Sequence, residues 1–263
     1  MKKSVIAYLV FSLTVLSTGI VWGFTESNGN NFFGDNAGLS NTTGFGNSFF
    51  GANAGRANTE GRFNTIMGAG AGYYNVIGNR NTIMGYGAGH HNKSGGNSFY
   101  GYRSAEYNTS GFQNSYFGDS SGKQNDSGNQ NSFFGFSSGF YNTTGYSNSY
   151  FGHSAGYKNI SGFGNVFLGF QAGYNETGSN KLYISNTATD TPLIYGEFDN
   201  QYLEVNGSLN VNGYIQLALT DGNLPPETDC DESSEYGRMM VDQINEDVYV
   251  CVVSGWKTIK GKK

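Results

Sequence analysis

The residues able to do chemistry in this chain are few and scattered. Three histidines, His90, His91 and His153, are its only imidazoles. His90 and His91 are adjacent, but a metal centre needs further His, Cys or carboxylate ligands at suitable spacing, and none stands near them in the sequence. Carboxylates come one at a time rather than in the pairs that glycoside hydrolysis uses. Ser and Thr are abundant, yet no His and Asp recur with them to activate a nucleophile. The run Gly68-Ala69-Gly70-Ala71-Gly72 does not precede a helix, so it is no phosphate loop. No catalytic residue, metal site or cofactor is expected, and the protein reads as a non-enzyme.

The wider composition agrees. In 263 residues there are 41 Gly, 20 Phe and 19 Tyr but only 3 Pro, and 13% of residues are charged. That is the composition of a repetitive β structure. A net charge of -5 without a Lys/Arg stripe leaves no electrostatic footprint for nucleic acid.

The N-terminus reads as an export signal over residues 1–23. Lys2 and Lys3 form a basic start, Val5 to Leu16 an apolar stretch, and Val21-Trp22-Gly23 a cleavage site. The competing reading is a retained membrane anchor, since Val5 to Phe24 approaches the length of a span. Export places the protein outside the cell or on its surface. In that oxidising setting Cys230 and Cys251 form a disulfide, or else remain two buried thiols, a choice that geometry decides.

The elements that position everything else are repeats. Asn30, Asn47, Asn64, Asn81, Asn97, Asn114, Asn131, Asn148 and Asn165 follow one another at 17-residue steps, with a single step of 16 between Asn81 and Asn97. Counting each repeat from that Asn, position 5 is always Gly, position 8 is always Ala or Ser, and the first eight copies have a second Asn at position 12 and Gly at position 15. Gly returns too often for a helix. Seventeen residues make one coil of two short strands and two turns, with Gly and Asn at the turns. Nine such coils form a parallel β-roll or β-solenoid, all-β, about 40 Å long at the usual strand spacing. Stacking sets each Asn over the next, so the amides bond in ladders. The calcium-binding solenoid pattern needs a regular Asp that this repeat lacks.

Positions 3 and 4 carry two adjacent apolar columns. Phe49, Phe99, Phe133 and Phe167 belong to the first; Phe50, Phe117, Phe134 and Phe151 belong to the second. Neighbours in a strand point to opposite faces, so one column fills the coil and the other stripes its outside. Which column is which stays open, and both could point inward if the pair straddles a corner. An external stripe of that length needs a cover. Identical subunits closing around a long axis supply one, most simply as a homotrimer.

GNSFFGANAG, QNSYFGDSSG and GNVFLGFQAG resemble the head repeats of bacterial trimeric surface adhesins, in which an Asn-Ser-apolar-apolar-Gly unit builds a trimeric β-roll. They are also similar to Asn/Gly-rich repeats of phage tail-fibre-like proteins. Gly178 to Gly213 resembles the segment that precedes an endosialidase-type chaperone in such fibres. The resemblance implies a surface fibre or adhesin that binds a host surface, matrix or glycan. The chain departs from the family in its longer period and in its segment ending KTIKGKK, where neither a membrane-anchoring barrel nor a full chaperone is expected. Triplets such as Asn41-Thr42-Thr43 match the N-glycosylation pattern, but the repeat generates them, and in a bacterial protein no glycan is expected there.

After the coils, 24–178, the period dissolves. In 179–213, strands are predicted over Lys181 to Ile184, Pro192 to Phe198, Tyr202 to Val205 and Ser208 to Val211, as a cap for the last coil or a stalk. Pro225-Pro226 marks a linker within 214–263. Beyond it, Tyr236 to Asp242, Asp247 to Val253 and Trp256 to Ile259 form a three-stranded meander, too small to hold a core without a staple or partner. Trp256 suits hairpin packing or stacking on a sugar. The functional alternatives are a scaffold or adhesin, and a carbohydrate-binding or tail-fibre-like receptor-binding module. For binding to an ice-like lattice no regular Thr column is present.

Overall fold

Early in each coil stands a trio, Ser or Thr in seven of the nine copies (Asn31 and Val166 in the others) followed by two large apolar residues, of the kind that suits a pleated, half-buried surface. In the structure, a computed structural model describing residues 28–213, 219–220, 230, 233, 237–242 and 248–259, every trio is a strand. They are β1 (Asn31–Phe33), β2 (Ser48–Phe50), β3 (Thr65–Met67), β4 (Thr82–Met84), β5 (Ser98–Tyr100), β6 (Ser115–Phe117), β7 (Ser132–Phe134), β8 (Ser149–Phe151) and β9 (Val166–Leu168). Each pairs in parallel with the next, homologue opposite homologue: Phe49 faces Ile66, and Phe133 faces Tyr150. The fold is the expected all-β solenoid of nine coils. The export signal and the Pro225-Pro226 linker lie outside the described residues.

The coil differs from expectation in having one strand rather than two. Positions 6 to 11 are turns, because positions 7 and 9 both take left-handed backbone, as at Asn53 (φ +59°) and Gly55 (φ +55°). Alternating left-handed residues rotate successive peptides in opposite senses, so this side cannot pleat. Its hydrogen bonds still join coils: Asn53 N–H donates to Asp35 O in the coil before (2.7 Å), while Gly55 N–H donates to Ala71 O in the coil after (3.0 Å).

Position 5 explains its own invariance. Its φ lies between +117° and +143° in all nine copies, a region open to glycine almost alone. At Gly51 a methyl group would also sit 2.7 Å from the carbonyl carbon of Gly68. The chain turns off the strand there with the next coil's backbone directly against it.

The ladder does not stop at the ninth coil. β10 (Lys181–Ile184) adds in parallel, placing Tyr183 over Phe167, and β11 (Ile194–Glu197) and β12 (Tyr202–Val205) follow antiparallel. Lys181 and Glu197, opposite each other in the β10–β11 pair, form an ion pair of 2.6 Å. That contact pushes the lysine up to about 12 and holds the carboxyl down at about 2. The reversal of strand direction closes the stack with a hairpin edge. Ser208 to Val211 is not a strand, contrary to the sequence reading. Asn206 instead bonds back to Leu193 and Pro192, which ends the pairing at β12 and leaves Leu209 68% exposed.

The chain divides into two compact units between Gly207 and Ser208. In the second, β14 (Met239–Asp242), β15 (Val248–Val252) and β16 (Gly255–Ile259) form the expected antiparallel meander, and β13 (Leu219–Thr220) adds in parallel to β14. Cys230 and Cys251 are joined in a disulfide, their Cα atoms 5.4 Å apart. Trp256 is half-buried on β16 opposite Cys251.

Candidate functional site

The strand resolves which apolar column is internal. Phe49, Phe99, Phe133 and Phe167, all at position 3, are fully buried, facing the small position 8 of Ala54, Ser104, Ser138 and Ala172. Their rings stack up the axis: Tyr116 on Phe133 and Phe133 on Tyr150 each have centroids 4.7 Å apart within 5° of parallel. The hydroxyls of Tyr116 and Tyr150 meet no partner at hydrogen-bonding geometry. Burial pushes both phenols well above their ordinary range, with the nearby amides of Asn131 and Asn165 opposing the shift.

Beside this column run two buried amide ladders. At position 1 the side chain ties its own coil to the next: Asn47 Nδ2 donates to Gly61 O (2.8 Å), and Asn47 Oδ1 accepts the Asn64 backbone N–H (3.0 Å). Asn30, Asn64, Asn81, Asn97, Asn114, Asn131 and Asn148 accept from the following coil in the same way, and Asn165 accepts from Lys181 N–H. At position 12 the amides bond side chain to side chain, as from Asn58 Nδ2 to Asn41 Oδ1 (2.8 Å). That second ladder is interrupted at Asn58, whose Oδ1 is left unpaired, runs on from Asn75 to Asn125, and ends at Asn142, whose Nδ2 turns to Asn159 O and whose Oδ1 is unpaired. These asparagines satisfy coil backbone that no strand partner reaches, so their role is structural.

Position 4 faces out. Phe50, Phe117, Phe134 and Phe151 belong to a stripe that starts at Phe33, takes in Met67, Met84, Tyr100 and Leu168, and reaches Ile184 on β10. Phe117 on Phe134 (4.7 Å) and Phe134 on Phe151 (4.8 Å) stack like the interior rings, so each covers its neighbour's face. What remains open is a row of ring edges, with Phe151 at 42% and Leu168 at 49% exposure. Position 2, Ser or Thr in seven of the nine strands, points to the same side and gives the stripe a hydroxyl border.

A second ridge follows positions 10 and 11 of the turns. His90 stacks on Tyr73 (5.1 Å), and His91 lies between Tyr74 (5.2 Å) and Tyr107 (5.6 Å). The two histidines are therefore half-buried in a tyrosine cluster. Burial, then the neighbouring His91, lowers the His90 pKa from 6.5, with Glu106 opposing and Arg103 adding to the fall. No group of three potential metal ligands occurs among the described residues. Further along, Phe140, Tyr157 and Tyr174 stack in the same ridge.

The face made by positions 13 to 17 carries a feature that was not read from the sequence. The short fourth coil loses one residue between its second Asn and the next repeat. Asn92 Nδ2 bonds Ser94 O, where every full-length coil up to the sixth offers a Gly carbonyl three residues on, as Asn58 does with Gly61 O. Ser94 therefore occupies the position 15 assigned to Gly95, and Gly95 and Gly96 slide into positions 16 and 17. Where neighbouring coils carry Asn79 and Arg80 or Phe112 and Gln113, the fourth carries no side chains. The result is a groove of about 720 Å³ lined by these residues with Glu60, Arg62, Phe63 and Ile77. The signal that could have located it was the single 16-residue step.

Among the described residues no helix is long and apolar enough to cross a membrane. No known family, curated protein or solved structure matches this chain.

Proposed function

We propose that the protein is an exported, non-catalytic scaffold that acts as a surface adhesin or fibre component, and that its stripe is covered by further copies of the same chain closing as a homotrimer. One observation carries the reading: the apolar column at position 4 is continuous from Phe33 to Ile184 and leaves Phe50, Met67, Phe151 and Leu168 exposed along the coils. At one strand spacing per rung it extends about 43 Å, beyond the scattered apolar exposure that a monomer tolerates. The Cys230–Cys251 disulfide supports an oxidising location, and the resemblance to adhesin heads supports the same assembly. The turns bearing Tyr73, Tyr74, Tyr107, Tyr141 and Tyr157 face outward as rigid aromatic contact area, which suits recognition of a host surface, matrix or glycan.

Adhesion tests this. The full chain should bind glycan- or matrix-coated surfaces, and removing two complete coils, 114–147, should abolish binding while leaving a shorter β stack. Equal adhesion by the shortened chain would refute a role for the coil surface. A second reading, a carbohydrate-binding or tail-fibre-like receptor-binding module, is favoured by the groove at the fourth coil.

A further inference from the structure

The groove differs from the rest of the rod in what it leaves unsatisfied. Elsewhere many surface aromatics stack on a neighbour one coil away, which hides a face: Tyr146 on Phe163 (4.9 Å) is the counterpart at position 16. Phe112 occupies the same column but looks onto Gly95, and among the described residues it stacks on no ring. Its exposure is 44%. On the opposite wall Arg80 presents a guanidinium that, among the described residues, has no ion pair, side-chain hydrogen bond or aromatic contact, whereas Arg62 at the outer lip already lies over Phe45 (4.9 Å). Gln113 stands beside Phe112. Asn79 spends its Oδ1 on the Arg62 backbone N–H, leaving its NH2 group to donate.

The spacing selects a ligand. The third and fifth coils are two strand spacings apart, roughly 10 Å, with only glycine between them at positions 16 and 17. Allowing roughly 3.5–4 Å for contact at each wall leaves room for one six-membered ring. An open aromatic face suits the C–H face of a pyranose. An unpaired arginine suits a carboxylate, which its planar fork holds with two parallel bonds. The amides of Asn79 and Gln113 suit hydroxyls. Glu60 at the lip bears the same charge as such a ligand, but Arg62 beside it offsets that charge.

We propose that the slot over Gly95 and Gly96 binds a carboxylated sugar ring of a glycan, with Arg80 on the carboxylate and Phe112 on the ring face. This rests on the receptor-binding reading of the outer surface and narrows it to one site and one ligand class.

The repeat itself supplies variants that keep the fold. Gln occupies the position of Arg80 in two later coils with the same left-handed backbone, at Gln113 (φ +56°) and Gln130 (φ +57°), so Arg80→Gln leaves the coil intact. Gly96→Gln restores the missing side chain; a Cβ there meets only atoms of Gln113, the nearest its Cγ at 3.5 Å, all at ordinary contact distance. The full chain would be titrated with oligogalacturonate and sialyllactose as carboxylated probes and lactose as the neutral one. The expected result is binding of a carboxylated probe over lactose, weakened roughly tenfold by Arg80→Gln and lost in Gly96→Gln, with unchanged β circular dichroism. Binding of only one carboxylated probe supports the slot and names its ring. Equal binding of all three probes, or wild-type binding by Arg80→Gln and Gly96→Gln, overturns it. Adhesion to neutral glycans that Gly96→Gln leaves untouched overturns the slot while the receptor-binding reading stands; loss of all glycan binding by the wild type sinks both.

Discussion

Phe133 and Phe134 are the same residue, one peptide apart, in one strand, and they meet opposite fates. Phe133 is fully buried against Ser138, with Tyr116 and Tyr150 stacked on its two faces; Phe134 is likewise stacked between Phe117 and Phe151, but its outer edge stays half-exposed. The difference is one of parity. Hydrophobicity makes both columns, and the two-residue period of the strand decides which of them the coil can close over. The inner column is sealed by the turn that carries Ala or Ser at position 8. The outer column has no such turn over it among the described residues, and the cover proposed for it is a further copy of the chain.

That contrast can be broken by substitution, beginning with the largest effect. Phe133→Ala should cost about 4 kcal/mol in urea unfolding, because the cavity has a rigid ring on each side and cannot collapse. Phe134→Ala, measured under conditions where the chain is dilute, should cost about 1 kcal/mol. Equal losses would mean that the two columns are not inside and outside. Next, Asn131→Ala removes the acceptor of the Asn148 backbone N–H (3.0 Å) and the donor to Gly145 O (2.8 Å), leaving both buried. It should cost about 2–3 kcal/mol, whereas Asn129→Ala at the surface should fall within about 0.5 kcal/mol of the wild type.

Two smaller effects sharpen the picture of the interior and the ridge. Tyr116→Phe removes a buried hydroxyl without a partner from a column where Phe is the usual residue, so it should stabilise by about 1 kcal/mol in thermal or denaturant melts. Destabilisation would mean that the hydroxyl is bonded after all. On the ridge, folding depresses the pKa of His90, so the unfolded chain takes up more protons as pH falls. Stability should therefore decline on acidification through and below pH 6.5. In His90→Tyr, the residue that the third, eighth and ninth coils carry at this position, the decline in melting temperature should be shallower.

The regular part of the fold was open to reading because each of its rules leaves a residue mark. Gly at position 5 marks a backbone that nothing else adopts, the position 1 Asn marks a buried amide ladder, and the adjacent apolar pair marks a strand with two faces. The second side of the coil left no such mark. Its left-handed positions hold Asn53, Arg103, Ser120 and Gln171, residues that look like ordinary polar surface, so their pattern reads as a strand where the chain turns. Ser208 to Val211 alternates like a strand, yet pairing is settled by where Asn206 spends its hydrogen bonds, which no local pattern records. The groove was hidden for a related reason. Counting from Asn81 puts Gly95 in the expected column, and only the bond from Asn92 to Ser94 shows that the coil has slipped by one residue.

Sedimentation of the wild type and one triple variant tests the cover most directly. Phe117→Ser, Phe134→Ser and Phe151→Ser together remove the centre of the outer stripe without touching the column beneath. The wild type should sediment as a closed oligomer, of three chains by this account, and the triple variant as a monomer with the same β circular dichroism. A monomeric wild type, or an oligomer that survives the triple substitution unchanged, would contradict it.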